Sequence, residues 1–437
     1  MRAMNKITAL FCLLLLALGL TWPDPAPARV YIDITKPSSY KLPLAMPEFK
    51  PNPAAGFQSL GGEGNRILST DLTYTGLFDV LDPKIYLSSG AGAVNPREWK
   101  RIGAELLITA EYTLAGNSLG IECKLHDVTD GRLMVGRRYD GVPGDLPAMM
   151  HRFADEVMEA ITGQKSVFST QIAFVHAEGG KKEVWLMNFD GSHSRQFTNR
   201  GDLTLFPVWS TDGKFLAYTT YINHHPTVAI HALAGGSGQV VLNKTGVNLT
   251  PVFRNDGRIA AALSFSGKTN IYLCDQAGNV GQNLTDGWGI EVAPTFSPDG
   301  RQIAFVSDRS GNPQIYVRDM GSGQIRRISY GYKYAAAPDW SPRGDRIAFQ
   351  VEVGGLFQVA TIRPDGSDQQ ILTGDHGGGE DPSWSPDGRF IAYANRSTGR
   401  YQIYVMTASG QPLRRITEIS GENSDPAWSP RGVIGTR

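Results

Sequence analysis

The chain has 437 residues, 42 Lys+Arg against 42 Asp+Glu, and three cysteines. That length holds two or three domains with sizeable cores, and the balanced charge gives no electrostatic case for nucleic acid. Three cysteines are too few for an exported fold built on disulfides. Cys12 lies in an apolar leader; Cys123 and Cys274 sit in strand-like runs and read as buried thiols, a bridge between them being open only if two domains bring them together.

Arg2 and Lys6 precede an apolar run from Ile7 to Leu20, and Ala26-Pro-Ala28 follows. This is the pattern of a secretory signal peptide cut before Arg29. The alternative, a membrane anchor, asks for a run of ~20 apolar residues. After cleavage, Val30, Ile32 and Ile34 alternate with Arg29, Tyr31 and Asp33, and Thr35 ends the run. The alternation predicts a half-buried strand, either a routine edge or a strand lent to a partner by β-augmentation.

Ile67, Leu68 and Leu72 predict a helix within residues 65–81, followed by a strand near Phe78–Leu81. Asn95-Pro96 is an N-cap with proline at the first helical position, opening a short helix through Trp99 and Ile102. Strands are expected at 105–112, 119–126 and 132–136, with Asn117 and Asp130-Gly131 in the turns. Asp145 is expected to cap a helix whose apolar stripe is Leu146, Met149, Met150, Phe153, Val157 and Ile161, ending at Gly163. Residues 29–165 therefore read as a small α/β domain.

From there the chain repeats itself. Pro294-Thr-Phe-Ser-Pro-Asp-Gly-Arg301 recurs as Pro338-Asp-Trp-Ser-Pro-Arg-Gly-Asp345, Pro382-Ser-Trp-Ser-Pro-Asp-Gly-Arg389 and Pro426-Ala-Trp-Ser-Pro-Arg-Gly432, with looser copies from Pro207 and Pro251. The steps are 44, 43, 44, 44 and 44 residues. Each copy supplies a turn, an apolar run such as Gln302–Ser307, a second run such as Gln314–Arg318, and a short polar strand such as Gln324–Ser329. Four strands per unit at this period predict a six-bladed β-propeller over residues 166–437. The first unit lacks its Pro-x-Trp segment and the last copy has almost no chain after it. Residues 426–437 are thus expected to complete the first blade and remove the open edges.

Catalytic patterns are sparse. The single G-x-S-x-G, Gly116–Gly120, falls in a turn between two predicted strands, not at a strand-to-helix elbow. No H-E-x-x-H or C-x-x-C occurs. Gly61-Gly-Glu-Gly64 lacks the setting of a dinucleotide site. His224-His225 has no evident third metal ligand, and Asp299 and Asp387 read as turn residues. A propeller hydrolase would need a further catalytic domain, and the chain ends at Arg437.

With these residues in view, the sequence resembles the TolB family, the periplasmic component of the Tol-Pal system. The resemblance rests on the repeated Pro-x-Trp-Ser-Pro-Asp-Gly-Arg with Ile-Ala-Phe, on Ser69–Phe78, and on Ala104–Thr109 and Leu125–Gly131. Arg254-Asn255 and Thr211 depart from it in the two looser copies. It implies a non-enzymatic monomeric scaffold in the periplasm, with no cofactor or metal. It also implies that the lipoprotein Pal binds on the propeller and TolA binds through residues 29–35. Other outer-membrane or peptidoglycan-associated proteins are possible further partners, and a small-ligand binder in the channel is the alternative reading.

Segments that lead into each inner strand gather at one end of a propeller channel. Here they carry Asp202, Glu291, Glu380, Asp381 and Asp425, against few bases, which favours a basic or neutral protein surface or a cation. They also carry Trp288, Tyr330, Tyr332 and Tyr334, residue types enriched in binding hot spots. The family resemblance adds Val247, Thr250 and Val292 to the Pal-facing set.

Overall fold

The structure is a computed structural model that describes residues 40–52, 58–87, 95–265, 267–374 and 377–432. The expected signal peptide and the strand at 29–35 lie outside the described residues, as do the last five residues of the closing segment. Among the described residues no helix is long and apolar enough to cross a membrane.

The first sheet has the strand order β3-β1-β4-β5-β6. Its strands are β1 (Leu42–Ala45), β3 (Phe78–Val80), β4 (Leu106–Ala115), β5 (Ser118–Asp127) and β6 (Leu133–Gly141). A two-residue β2 (Lys50–Pro51) continues the line of β1 along β4. One face is covered by α1 (Gln58–Tyr74) and α3 (Leu146–Thr162), whereas the short α2 (Pro96–Arg101) lies against a smaller core around Trp99 and Val128. The six stripe residues of α3 are buried. At about 1.5–3 kcal/mol per large apolar side chain, that face dominates the helix's stability.

Two details differ from the sequence reading. Helix α1 begins at Gln58 and takes in Gly61, Gly62 and Gly64. Glycine is costly inside a helix, but a Cβ at Gly61 would stand 2.2 Å from the Phe49 carbonyl oxygen. The close approach of Phe49 selects it. Asp145 precedes α3 but does not bond into its first turn; its Oδ2 accepts from Val142 N at 3.0 Å. Asn95 and Gly163 act as expected: Asn95 Oδ1 accepts from Arg97 N, and Gly163 takes φ 74° and donates to Glu159 O.

The rest is a six-bladed propeller. Each blade is a four-stranded antiparallel sheet. In blades two to six the inner strands are Thr204–Trp209, Asn248–Phe253, Glu291–Phe296, Ala335–Trp340 and Glu380–Trp384. In blade one the inner strand is Glu422–Trp428, which pairs antiparallel with Gln171–Glu178. The ends of the array therefore close on each other. Cys123 and Cys274 are both free and buried.

The two domains share one apolar core. Tyr74 of α1 packs its ring on Phe189 and Phe390 at 5.9 and 5.2 Å, with the Arg414 guanidinium over its face. Phe189, Phe390 and Arg414 sit in blades one and six, at the end where the Ser-Pro-Asp-Gly turns lie. The first domain thus sits on that end and leaves the other free.

Candidate functional site

The free end is built by antiparallel register. Strands two and three of each blade meet there in a hairpin, as at Ile222↔His225 and Phe265↔Lys268. The segments entering the inner strands arrive at the same end. In five of the six blades a buried side chain ties the two together. Thr198, Ser329, Thr373 and Thr417 donate their hydroxyls to Glu183, Gln314, Gln358 and Gln402. Glu183 also accepts from Arg200 N and Gly201 N, Gln314 donates to Tyr332 O, and Gln402 donates to Gly421 O. In blade three, Asn270 accepts from Gly287 N. These anchors order the mouth. Sequence reading missed them because a lone Gln or Asn at a strand start has no local signature.

The inner strands line a channel, a cavity of about 430 Å³. At its mouth, Phe206, Thr250, Ala293, Ala337, Asp381 and Asp425 all have φ between 46° and 53°. Each directly precedes a repeat proline, where the left-handed region is doubly disfavoured, at a cost of order 1–3 kcal/mol per residue. A bulge in each inner pair accommodates it. Bonds from the preceding blade reach five of the six: Thr250 N to Thr219 Oγ1, Ala293 N to Thr250 Oγ1, Asp381 N to Gln350 Oε1, Asp425 N to the Asp381 carboxyl, and Phe206 N to the Asp425 carboxyl.

Three acids line this channel. Burial, together with the neighbouring Asp425, holds the Asp381 carboxyl well above the usual range; burial likewise raises Asp425, and the two side chains share a hydrogen bond. Burial pushes Asp339 up to about 6 against the bond it accepts from Trp384 N. Asp339 therefore binds its proton more tightly folded than unfolded, so its contribution is fully present below the unfolded pKa and is lost as pH rises through about 6. Asp339→Asn is expected to raise the thermal midpoint at neutral pH and to lose that advantage near pH 4. Asp339 is only half-buried, so the gain is about 1–2 kcal/mol. Equal midpoints for the two proteins at neutral pH would refute it.

The sequence-selected residues divide by placement. Thr250, Asp381 and Asp425 face the channel. Asp202 and Val247 are half-buried in the entering segments, and Val247 N is tied to Ser264 Oγ. Val292, Tyr332 and Tyr334 are half-buried on the core between blades four and five. Glu380 accepts from Tyr401 OH at 2.6 Å. Glu291 is wholly buried, bonded to Ser307 Oγ and paired with Arg309, so it orders its loop and offers no surface.

Tyr330 and Trp288 stand out on the rim, with Trp288 88% exposed. Lys268 Nζ lies 4.1 Å from the centre of its ring. The glycines on either side have no room for a side chain: a Cβ would stand 2.1 Å from Glu291 Oε1 at Gly287 and 1.8 Å from Asp308 Oδ1 at Gly289. Around it the hairpins expose Ile222, Phe265, Val353 and Leu356, and the same loop exposes Ile290. The sequence reading weighed only the entering segments and so overlooked the hairpin residues. The antiparallel register puts them at the same end.

The TolB beta propeller domain family matches residues 158–432 and the TolB amino-terminal domain family matches residues 30–134. The chain belongs to the TolB family. A TolB homolog from Chlorobium chlorochromatii is 38% identical over 305 residues, spanning 68% of this chain and 69% of that protein. A Tol-Pal system protein TolB from Desulfosudis oleivorans is 38% identical over 286 residues, spanning 63% of this chain and 65% of that relative, just under two thirds of its length. The crystal structure of TolB from Acinetobacter baumannii shares the fold with a TM-score of 0.78 at 24% identity, covering 90% of this chain and 97% of that one. The name of the Desulfosudis oleivorans relative places that protein in the Tol-Pal system.

Proposed function

We propose that the protein is a non-enzymatic periplasmic scaffold of the Tol-Pal system. In this reading it binds the lipoprotein Pal on the channel mouth and TolA through residues 29–35, supporting outer-membrane integrity and constriction at division. The observation that carries the Pal site is the distribution of exposed apolar side chains. Phe206, Ile222, Phe265, Trp288, Ile290, Tyr330, Val353 and Leu356 all lie at the mouth, whereas the first domain packs over the opposite end. Exposed apolar side chains at one end of the channel, with a rigidly presented tryptophan among them, suit a protein partner.

The TolA site rests on the alternation at 29–35 and on family membership. Calorimetry on residues 29–437 with the soluble domains of Pal and TolA tests both. Removal of residues 29–40 is expected to abolish TolA binding and leave Pal affinity within about twofold. Retained TolA capture by the shortened chain refutes the TolA site. Absence of any Pal binding by the full mature chain refutes the scaffold reading.

A further inference from the structure

The interface between the two domains contains a buried histidine among carboxylates. His151 of α3 is fully buried; its Nδ1 stands 2.7 Å from Asp71 Oδ2 of α1. Its Nε2 faces the propeller, 3.9 Å from Asp190 Oδ2 in the turn after blade one's third strand, and has no hydrogen-bond partner among the described residues. Phe189, beside Asp190, meets the imidazole edge-on at 5.3 Å. On its own helix stands Asp155, bonded to Phe168 N and Ser169 N of the interdomain linker. On the propeller side Arg414 is engaged with Asp190 O and the face of Tyr74, and Arg389 lies over Phe390. Asp387 lies beyond Tyr74.

The proton inventory follows from this geometry. With Asp71 ionised, Nδ1 is the donor. A neutral ring then turns a bare Nε2 lone pair toward the Asp190 carboxylate, with no donor available. A protonated ring turns an N–H toward it. Desolvation pulls His151 down, but Asp71, Asp190 and Asp155 outweigh it and leave its affinity for the proton raised. Burial also pushes Asp71 up, to about 6, opposed by His151. We infer that His151 is a pH-sensitive clamp between the domains: its protonated ring links Asp71 of the first domain to Asp190 of the propeller, and loss of that proton loosens the docking. Asp71 travels with His151 on the first domain, so the part of the proton affinity that depends on docking comes from Asp190 and the burial behind Phe189. A group whose affinity for protons is raised by docking favours docking below its titration and ceases to do so above it.

The test uses the full chain. Imidazole resonances are titrated by NMR, with His151 assigned by its absence in His151→Gln. His151 is expected to titrate above the ordinary histidine range and, in Asp190→Asn, to fall back toward it while the rest of the spectrum is unchanged. Amide exchange, corrected for its intrinsic pH dependence, gives the second readout. Protection of α1, α3 and the 166–170 linker is expected to fall about tenfold from about pH 6 to about pH 9 in the wild type and to be flat in His151→Gln. A His151 that stays neutral throughout that range overturns the clamp. So does a wild-type loss of protection matched by His151→Gln.

Discussion

A chain truncated after Asp425 is expected to lose cooperative thermal unfolding, or to melt far below the full-length protein. The cut removes the second half of blade one's inner strand. Ala427↔Ala173 and Trp428↔Ile172 are paired there, and Trp428 N is bonded to Ser383 Oγ of blade six. The Trp428 ring is buried, stacks on Phe390 and donates Nε1–H to Thr170 Oγ1 at 2.8 Å. Phe390 is also the ring on which Tyr74 of the first domain sits. One segment therefore joins blade one, blade six and the domain interface. Losing a large buried aromatic costs about 3–5 kcal/mol by itself, and exposing the edges adds to it. The sum rivals the whole 5–15 kcal/mol of a typical domain. A truncated chain that melts with the full-length protein in calorimetry would show that the closure contributes nothing.

Trp288→Ala is expected to weaken Pal binding by about 2 kcal/mol, roughly thirtyfold, with the melting temperature unchanged. The indole is solvated, with the Lys268 ammonium over its face. Its loop is held by Asn270, Asp308 and the pair of buried Glu291 with Arg309. Such a side chain loses little entropy on binding. Tyr330→Ala, exposed on the next loop, should cost about 1 kcal/mol or more. Reversing Asp381 is a poorer probe, since that residue is coupled to Asp425 inside the channel and its change disturbs the mouth itself. The contrast is the exposed Arg301 at the far end, beside Asp299. If Trp288→Ala and Tyr330→Ala bind Pal normally while Arg301→Glu does not, the partner docks on the turn end and the face assigned here is wrong.

How much of this was legible in the residues depends on the range of the forces involved. The repeat of Pro-x-Trp-Ser-Pro-Asp-Gly announced six blades because it is written in local turn chemistry. Asp299 shows it: Oδ1 accepts from Ser297 Oγ and Arg301 N, all within five residues. The closure was legible for the same reason, as one missing inner strand and one surplus copy. The stripe of α3, the caps at Asn95 and Gly163 and the buried state of both cysteines likewise follow from nearby residues or from hydrophobic periodicity.

What only the tertiary structure decided lies between segments distant in the chain. The glycines of α1 look like a loop until Phe49 is placed against them. Six non-glycine residues sit in left-handed backbone ahead of proline, against their own local preference, because the inner strands are bulged there and the preceding blade bonds to five of them. Glu291 reads as a surface acid until Arg309 and Ser307 close over it. His151 and Asp71 are 80 positions apart, and the turn that carries Asp190 reaches them only when blade one meets the first domain. Local propensity and period set the elements and their number. Long-range packing set which polar groups were buried, which aromatics stayed out, and which end of the channel was left for a partner.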